Sequence, residues 1–235
     1  MNSPRVCLVS PASAADNNGN WHTALRWRDH LAATAQVELV QAWQAQDADV
    51  LIALHARRSA ASIEAFHKAY PERPIVVVLT GTDVYRDLAI DAGARHSLAL
   101  PRHLVCLQPR ALEKLEAPER AKACVIVQGT EAMHRGTRAG RPPGFVAVGH
   151  LRAEKGPLTL MGRGRHLRGE VERIEILHIG AGLDETLAAV AQATMRDCPG
   201  YRWIGPLPHA QARRHIADAT ALVHMSRIEG GANVV

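Results

Sequence analysis

Residues 129–144 read GTEAMHRGTRAGRPPG, closing on Pro142, Pro143 and Gly144. Glycine, proline, arginine and threonine dominate this stretch, and it has neither a strand-like nor a helix-like hydrophobic period. It cannot contribute a face to a core, so it reads as a linker. It decides the fold because the same pattern stands on both sides of it. Upstream, short β-branched runs recur at Val6–Val9, Val37–Val40, Val50–Leu54, Ile75–Leu79, Leu104–Leu107 and Val125–Val127. Between several of them lie stretches with apolar residues three or four apart, at Ala24–Ala33, Ala60–Tyr70 and Arg110–Leu115. Downstream, Phe145–Val148, Ile174–Ile179, Tyr201–Ile204 and Ala221–Met225 are strand-like. Helices are expected from about Pro157, over Asp184–Met195 and over Ala210–Ala217. Strand–helix alternation builds parallel sheets covered by helices. The chain is therefore expected to be α/β, with two Rossmann-like domains, 1–140 and 141–235, facing a cleft. Ligands would lie beyond the carboxyl ends of the strands.

The composition agrees with a folded enzyme-sized chain. Its 235 residues suffice for one large or two modest domains, and 47% hydrophobic with 22% charged residues argues against disorder. No apolar run approaches the roughly 20 residues of a membrane span, and the start, MNSPRVCLVSPA, lacks the apolar core of a signal peptide. A cytoplasmic location is expected. Cys7, Cys106, Cys124 and Cys198 are scattered without CxxC spacing, which suits reduced, mostly buried thiols. The 13 histidines form no metal-ligand spacing. A net charge of +5 could attract anions. Dispersed arginines, sparse aromatics and no binding motif argue against nucleic acid, and phosphorylated small molecules fit better.

The residues just past the strands carry the chemistry. After the first strand, Asn18, Gly19 and Thr23 open a helix, and they could admit an anion at its amino terminus or simply cap it. After Leu54 come His55, Arg57 and Arg58; paired guanidiniums suit a phosphate clamp, and the helix dipole disfavours them there without a function. After Leu79 come Gly81, Thr82, Asp83 and Arg86, where Asp83 could cap a helix, bind a hydroxyl or act as a base. In the second half, Gly149, His150, Arg152 and Lys155 follow a strand and could hold a diphosphate as negative charge builds on it. Gly180 and Gly182 make a glycine-rich turn short of the full GxGxxG. Gly162-Arg163-Gly164 follows a helical stretch and is read as a loop. Last, Glu229 precedes Gly230, Gly231, Ala232 and Asn233. A carboxylate there can accept from sugar hydroxyls, and amides at the start of a following helix can meet phosphate.

The order of these pieces is more specific than any one of them. VGHLRAEKG at 148–156, HIGAG at 178–182, YRWIGPL at 201–207 and ALVHMSRIEGG at 221–231 together resemble the carboxyl-terminal half of GT-B glycosyltransferases, the large retaining family that uses nucleotide sugars. LHARRSAAS at 54–62, LTGTDVYRDL at 79–88 and EGGANVV at 229–235 are similar to one branch of it, the selenosugar synthases of selenoneine biosynthesis. That resemblance implies transfer from a UDP-sugar, UDP-N-acetylglucosamine above all, to selenophosphate. The product would be a 1-selenosugar, with UDP and phosphate released and no bound cofactor or metal. It implies that Lys155 holds the donor diphosphate. His150 stands where the family usually has arginine, so Arg152 is a candidate to take over that contact. The backbone at Gly205–Leu207 would meet the base, and Glu229 would contact the donor sugar. Arg57, Arg58 and Arg86 would bind the acceptor, with His55 and Asp83 placing a proton or water. The second glutamate of the family's pair would fall past Val235. The resemblance thus implies a second domain cut short, with a helix from Gly231 incomplete and apolar surface exposed. An O-glycosyltransferase with another acceptor, or a non-catalytic nucleotide-sugar-binding protein, would share the fold. An NAD-dependent enzyme is disfavoured by the missing glycine fingerprint.

Overall fold

The computed structural model describes residues 3–136, 144–166 and 174–234. Contacts divide the chain into two units, Met1–Gly129 with Glu229–Asn233, and Thr130–Ile228 with Val234–Val235. The expected boundary at 140/141 lies outside the described residues, as do Pro142 and Pro143. Residues 229–233, expected with the second half, cluster with the first unit.

The first unit runs β1 (Arg5–Val9), α1 (Gly19–Leu31), β2 (Gln36–Val40), β3 (Val50–Leu54), α2 (Ala60–Ala69), β4 (Ile75–Leu79), α3 (Leu88–Ile90), α4 (Ala92–Ala99), β5 (His103–Cys106), α5 (Ala117–Ala121) and β6 (Ala123–Val125). The strands form one parallel sheet in the order β2-β1-β3-β4-β5-β6. Central strands of such a sheet are covered on both faces, which is why they read as unbroken apolar runs. Cys7, Val9, Leu51, Ala53, Val77 and Leu79 pack on one face with Phe66 of α2 and Leu98 of α4. Leu8, Ile52, Leu54 and Val78 pack on the other with Ala24 and Trp27 of α1. The helix expected at Arg110–Leu115 is a 3₁₀ stretch, Pro109–Lys114, entered through a proline at its first turn. Helix α4, missed by periodicity, is started by Asp91, whose side chain accepts from the Ala94 amide.

The second unit runs β7 (Gly144–Val148), α6 (Pro157–His166), β8 (Glu175–Ile179), α7 (Glu185–Asp197), β9 (Tyr201–Trp203), α8 (His209–Asp218) and β10 (Ala221–Leu222). Its parallel sheet has the order β10-β7-β8-β9. Gly162-Arg163-Gly164, read as a loop, lies inside α6. Each interior glycine costs about 1 kcal/mol against alanine, and burial of Leu160 and Met161 on the same helix offsets it. The last strand is shorter than expected, and among the described residues past Ile228 none is helical.

Two features of the topology place the sites. In the first unit the strand order reverses between β1 and β3. In the second it reverses between β7 and β10. Loops leaving adjacent strands in opposite directions open a crevice there. Cys7, Cys106 and Cys198 are buried and Cys124 is exposed, all as free thiols. No described helix is long and apolar enough to cross a membrane.

Candidate functional site

At the carboxyl edge of the first sheet, Asp83 is fully buried. Its Oδ1 accepts from the amides of Thr80 (3.0 Å), Gly81 (2.7 Å) and Val84 (3.0 Å), and its Oδ2 from Ala56 (3.1 Å) and Thr80 (3.2 Å). A carboxylate has about four lone-pair sites, and these are taken by backbone donors. Asp83, expected to cap a helix, bind a hydroxyl or act as a base, thus ties the loop after β3 to the loop after β4. His55 is the neighbouring brace. It is buried, with φ of 69°, in the left-handed region where a non-glycine residue is uncommon. Its Nδ1 accepts from the Arg58 amide (3.3 Å), so the ring hydrogen sits on Nε2 and is donated to Thr82 Oγ1 (3.0 Å). Burial lowers the His55 pKa most, with the Asp83 charge opposing, so the ring is neutral at pH 7. Half-buried Thr82 keeps its own hydroxyl hydrogen to donate.

The three arginines expected to bind an anion differ. Arg57 donates to Asp91 (2.7 Å) and stands 3.8 Å from buried Asp87, and Arg86 donates to Asp87 (3.0 Å). Both cations thus face carboxylates already. Arg58 is exposed and its guanidinium makes no ion pair among the described residues. Asn18 is the cap of α1, accepting from the amides of Asn20 (3.0 Å) and Trp21 (3.2 Å), the plainer of its two readings. Thr23, buried in α1, accepts from Gln128 (3.0 Å) and from the Asn233 amide (3.2 Å). Asn233 also donates to the Gly19 carbonyl (3.1 Å) and accepts from Arg26 (3.1 Å).

Glu229–Asn233 is seated on this same edge. Gln108 donates to the Glu229 carbonyl (2.8 Å) and to Tyr85 Oη (2.7 Å). A Cβ on Gly230 would overlap the Thr80 carbonyl and lie 2.6 Å from the Gly81 nitrogen, and one on Gly231 would lie 2.7 Å from Leu107 Cβ. Two side-chain-free residues are what lets this segment approach the ends of β4 and β5. Gly81, at φ of 140°, meets it from the other side. Ala232 links the two anchored ends.

In the second unit a shallow pocket lies at the β7/β10 crevice, lined among others by Gly149, Lys155, His178, Val223 and Met225. The Lys155 stem runs along Gly149, whose added Cβ would sit 3.6 Å from it. His150 Nδ1 accepts from the Ala181 amide (3.0 Å), which fixes the ring hydrogen on Nε2. Gly180 lies so close to Gly149 that a Cβ there would overlap the Gly149 carbonyl. A Cβ on Gly182 would sit 3.0 Å from the Trp203 ring. These two glycines are explained by packing of neighbouring loops. Arg152 is exposed and precedes the 3₁₀ turn Ala153–Lys155. Leu207 packs with Ile179 and Ala212 in a core cluster. Among the described residues no group of three or more His, Cys, Asp or Glu is placed to hold a metal ion.

No protein-family model matches the chain, and no curated protein matches it. Solved structures do. Anabaena HepE, in complex with UDP and glucose, superposes with a TM-score of 0.61 at 9% identity, covering 95% of this chain and 74% of HepE. A Listeria monocytogenes protein designated a candidate UDP-N-acetylglucosamine 2-epimerase gives 0.62 at 12% identity, covering 94% and 74%. A single-residue mutant of S. aureus TarM, in complex with fondaparinux, α-GlcNAc-glycerol and UDP, gives 0.60 at 9% identity; 78% of this chain matches only 38% of TarM. At such identities the likeness is one of fold, and that fold is α/β of the GT-B type.

Proposed function

We propose that this chain transfers a sugar from a UDP-sugar to a small anionic acceptor. The observation that carries the reading is the β7/β10 crevice, lined by Gly149 and Lys155, which bring a close backbone approach and an ammonium group to one strand end. That set suits a diphosphate leaving group, because each donor gains as negative charge develops on it. The UDP held by HepE and TarM supports the same choice of donor. Arg152 and the backbone near Leu207 would complete the donor side. Glu229, whose backbone Gln108 anchors within the first unit, is a candidate to meet a hydroxyl of a substrate there.

The acceptor we propose is selenophosphate, and the donor UDP-N-acetylglucosamine. Selenium attacks the anomeric carbon, the C1–O bond to UDP breaks with its electron pair leaving on UDP, and a C–Se bond forms. Water then cleaves the P–Se bond, giving phosphate and the 1-selenosugar. Arg58, with Arg86 and the Thr82 hydroxyl from the segment after β4, would bind the phosphoryl oxygens, and a selenium nucleophile asks for little base assistance. Three buried free thiols fit a reducing cytoplasm.

UDP release from UDP-N-acetylglucosamine, measured with and without selenophosphate, tests this. Release that depends on selenophosphate, with a selenium-bearing sugar detected by mass spectrometry, is expected. Consumption without that dependence, giving an isomeric UDP-sugar, would favour the second reading that the Listeria neighbour raises, an epimerase.

A further inference from the structure

His178, which lines the pocket, and Tyr201 are both nearly fully buried and belong to neither of the roles above. His178 Nε2 lies 3.3 Å from the Gly149 carbonyl, and its Nδ1 lies 2.9 Å from Tyr201 Oη. A carbonyl can only accept, so Nε2 carries the hydrogen and Nδ1 must accept from the Tyr201 hydroxyl. The chain of donation is therefore fixed in direction: Tyr201 O–H to His178 Nδ1, His178 Nε2–H to Gly149 O. Burial lowers the His178 pKa and raises that of Tyr201, so both are neutral at pH 7. With both ring nitrogens engaged inside the protein, His178 has nothing left for a ligand. What it does hold is the carbonyl of the residue on which the Lys155 stem rests, in the turn that also carries His150. The same turn is held by the Ala181 amide on His150 and by the Leu151 amide on Ala181 O (2.8 Å).

We propose that Tyr201 and His178 are positioning residues for donor binding, a two-step relay from β9 through β8 that fixes the Gly149–His150 turn under the diphosphate. This rests on the UDP-sugar reading above and deepens it. Without the relay the Gly149 peptide can rotate, and the Lys155 ammonium loses the fixed surface along which its stem runs.

The test is UDP titration by calorimetry on the whole chain, beside histidine ¹⁵N long-range correlation spectra. His178→Leu keeps the apolar packing and removes the donor; it should weaken UDP binding about tenfold, the size of one lost hydrogen bond to a buried carbonyl. His178→Gln, which can still donate to Gly149 O, should bind within about threefold of the parent. In the parent spectrum His178 should show the Nε2–H tautomer, and in Tyr201→Phe its Nδ1 shift should change. If His178→Leu fails to fold, Tyr201→Phe carries the binding test, with a loss of about threefold expected. Unchanged UDP affinity in the folded variants, or an Nδ1–H tautomer, overturns the relay. A parent chain that binds no UDP, seen in the first titration, instead removes the donor reading and the positioning role with it.

Discussion

Replacing Asp83 separates a structural carboxylate from a catalytic one. In Asp83→Ala, the amides of Ala56, Thr80, Gly81 and Val84 lose their acceptor at a site with no solvent exposure. A hydrogen bond to a charged group is worth about 1.5–3 kcal/mol, and a buried donor left unmet costs about 1–3 kcal/mol. Four such losses do not add, because removal also relieves the cost of burying the charge and a water can enter the space. An effect of about 4 kcal/mol is expected, at the upper end for a single substitution. Asp83→Asn should cost about 2–3 kcal/mol: its oxygen can keep the donors at one position, while its NH₂ meets the Ala56 or Gly81 N–H head-on at the other. The chain has two units, so the transition must be assigned to one of them. Trp21, Trp27 and Trp43 lie in the first unit and Trp203 in the second, so urea unfolding followed by fluorescence in a Trp203→Phe background reports the first. A catalytic aspartate predicts the reverse pattern, with stability kept and turnover lost. An Asp83→Asn protein that unfolds within about 1 kcal/mol of its parent yet turns over no substrate would refute the brace.

Gly180→Ala forces a methyl onto the Gly149 carbonyl, and a loss of about 2–4 kcal/mol in the second unit is expected, read from Trp203 fluorescence with the other tryptophans replaced. His55 and His178 both have pKa values lowered from 6.5 by burial. Their neutral forms therefore add stability that is whole above pH 6.5 and is lost as pH falls through the folded values; the melting temperature should drop on acidification below that point, and a flat profile would contradict the burial of both rings. Arg57→Ala removes an exposed pair with Asp91 and should change stability by less than about 1 kcal/mol. Arg58→Ala should leave stability unchanged while raising the selenophosphate KM about tenfold or more; equal KM effects from the two variants would argue against a special role for Arg58.

The strands were legible because a strand buried on both faces must be apolar throughout, and runs such as Ile75–Leu79 have no other use in a folded chain. Helices were less so. Ala92–Ala99 has weak periodicity and declares itself only through Asp91 at its cap, while Pro109 reshaped the expected helix after β5. The site divides along a different line. Sequence offers residue types, and Asp83 or Asn18 is equally fit to cap backbone amides or to meet a ligand; burial and hydrogen-bond partners decide, and neither can be read locally. The seat of Glu229–Asn233 is harder still, since its partners Thr80, Gly81, Leu107 and Gln108 are more than a hundred residues away in the chain.

What sequence reading passed over were the uncharged side chains of Gln108, Gln128 and Tyr201, and the cation of Arg26 within a helix. The two glutamines were nonetheless within reach of the same logic that found Arg57 and Arg58. A parallel sheet brings every strand's carboxyl end to one edge, and Gln108 and Gln128 follow β5 and β6 directly. They drew no attention because an amide carries no charge. Yet a buried or half-buried amide must find both a donor and an acceptor, so it fixes its surroundings more tightly than an exposed guanidinium does. Gln128 accepts from Arg26 and donates to Thr23, and Gln108 joins Tyr85 to the Glu229 backbone. On this edge position after a strand, not charge, marks the residues that organise the site, and the charged ones are spent in part on each other.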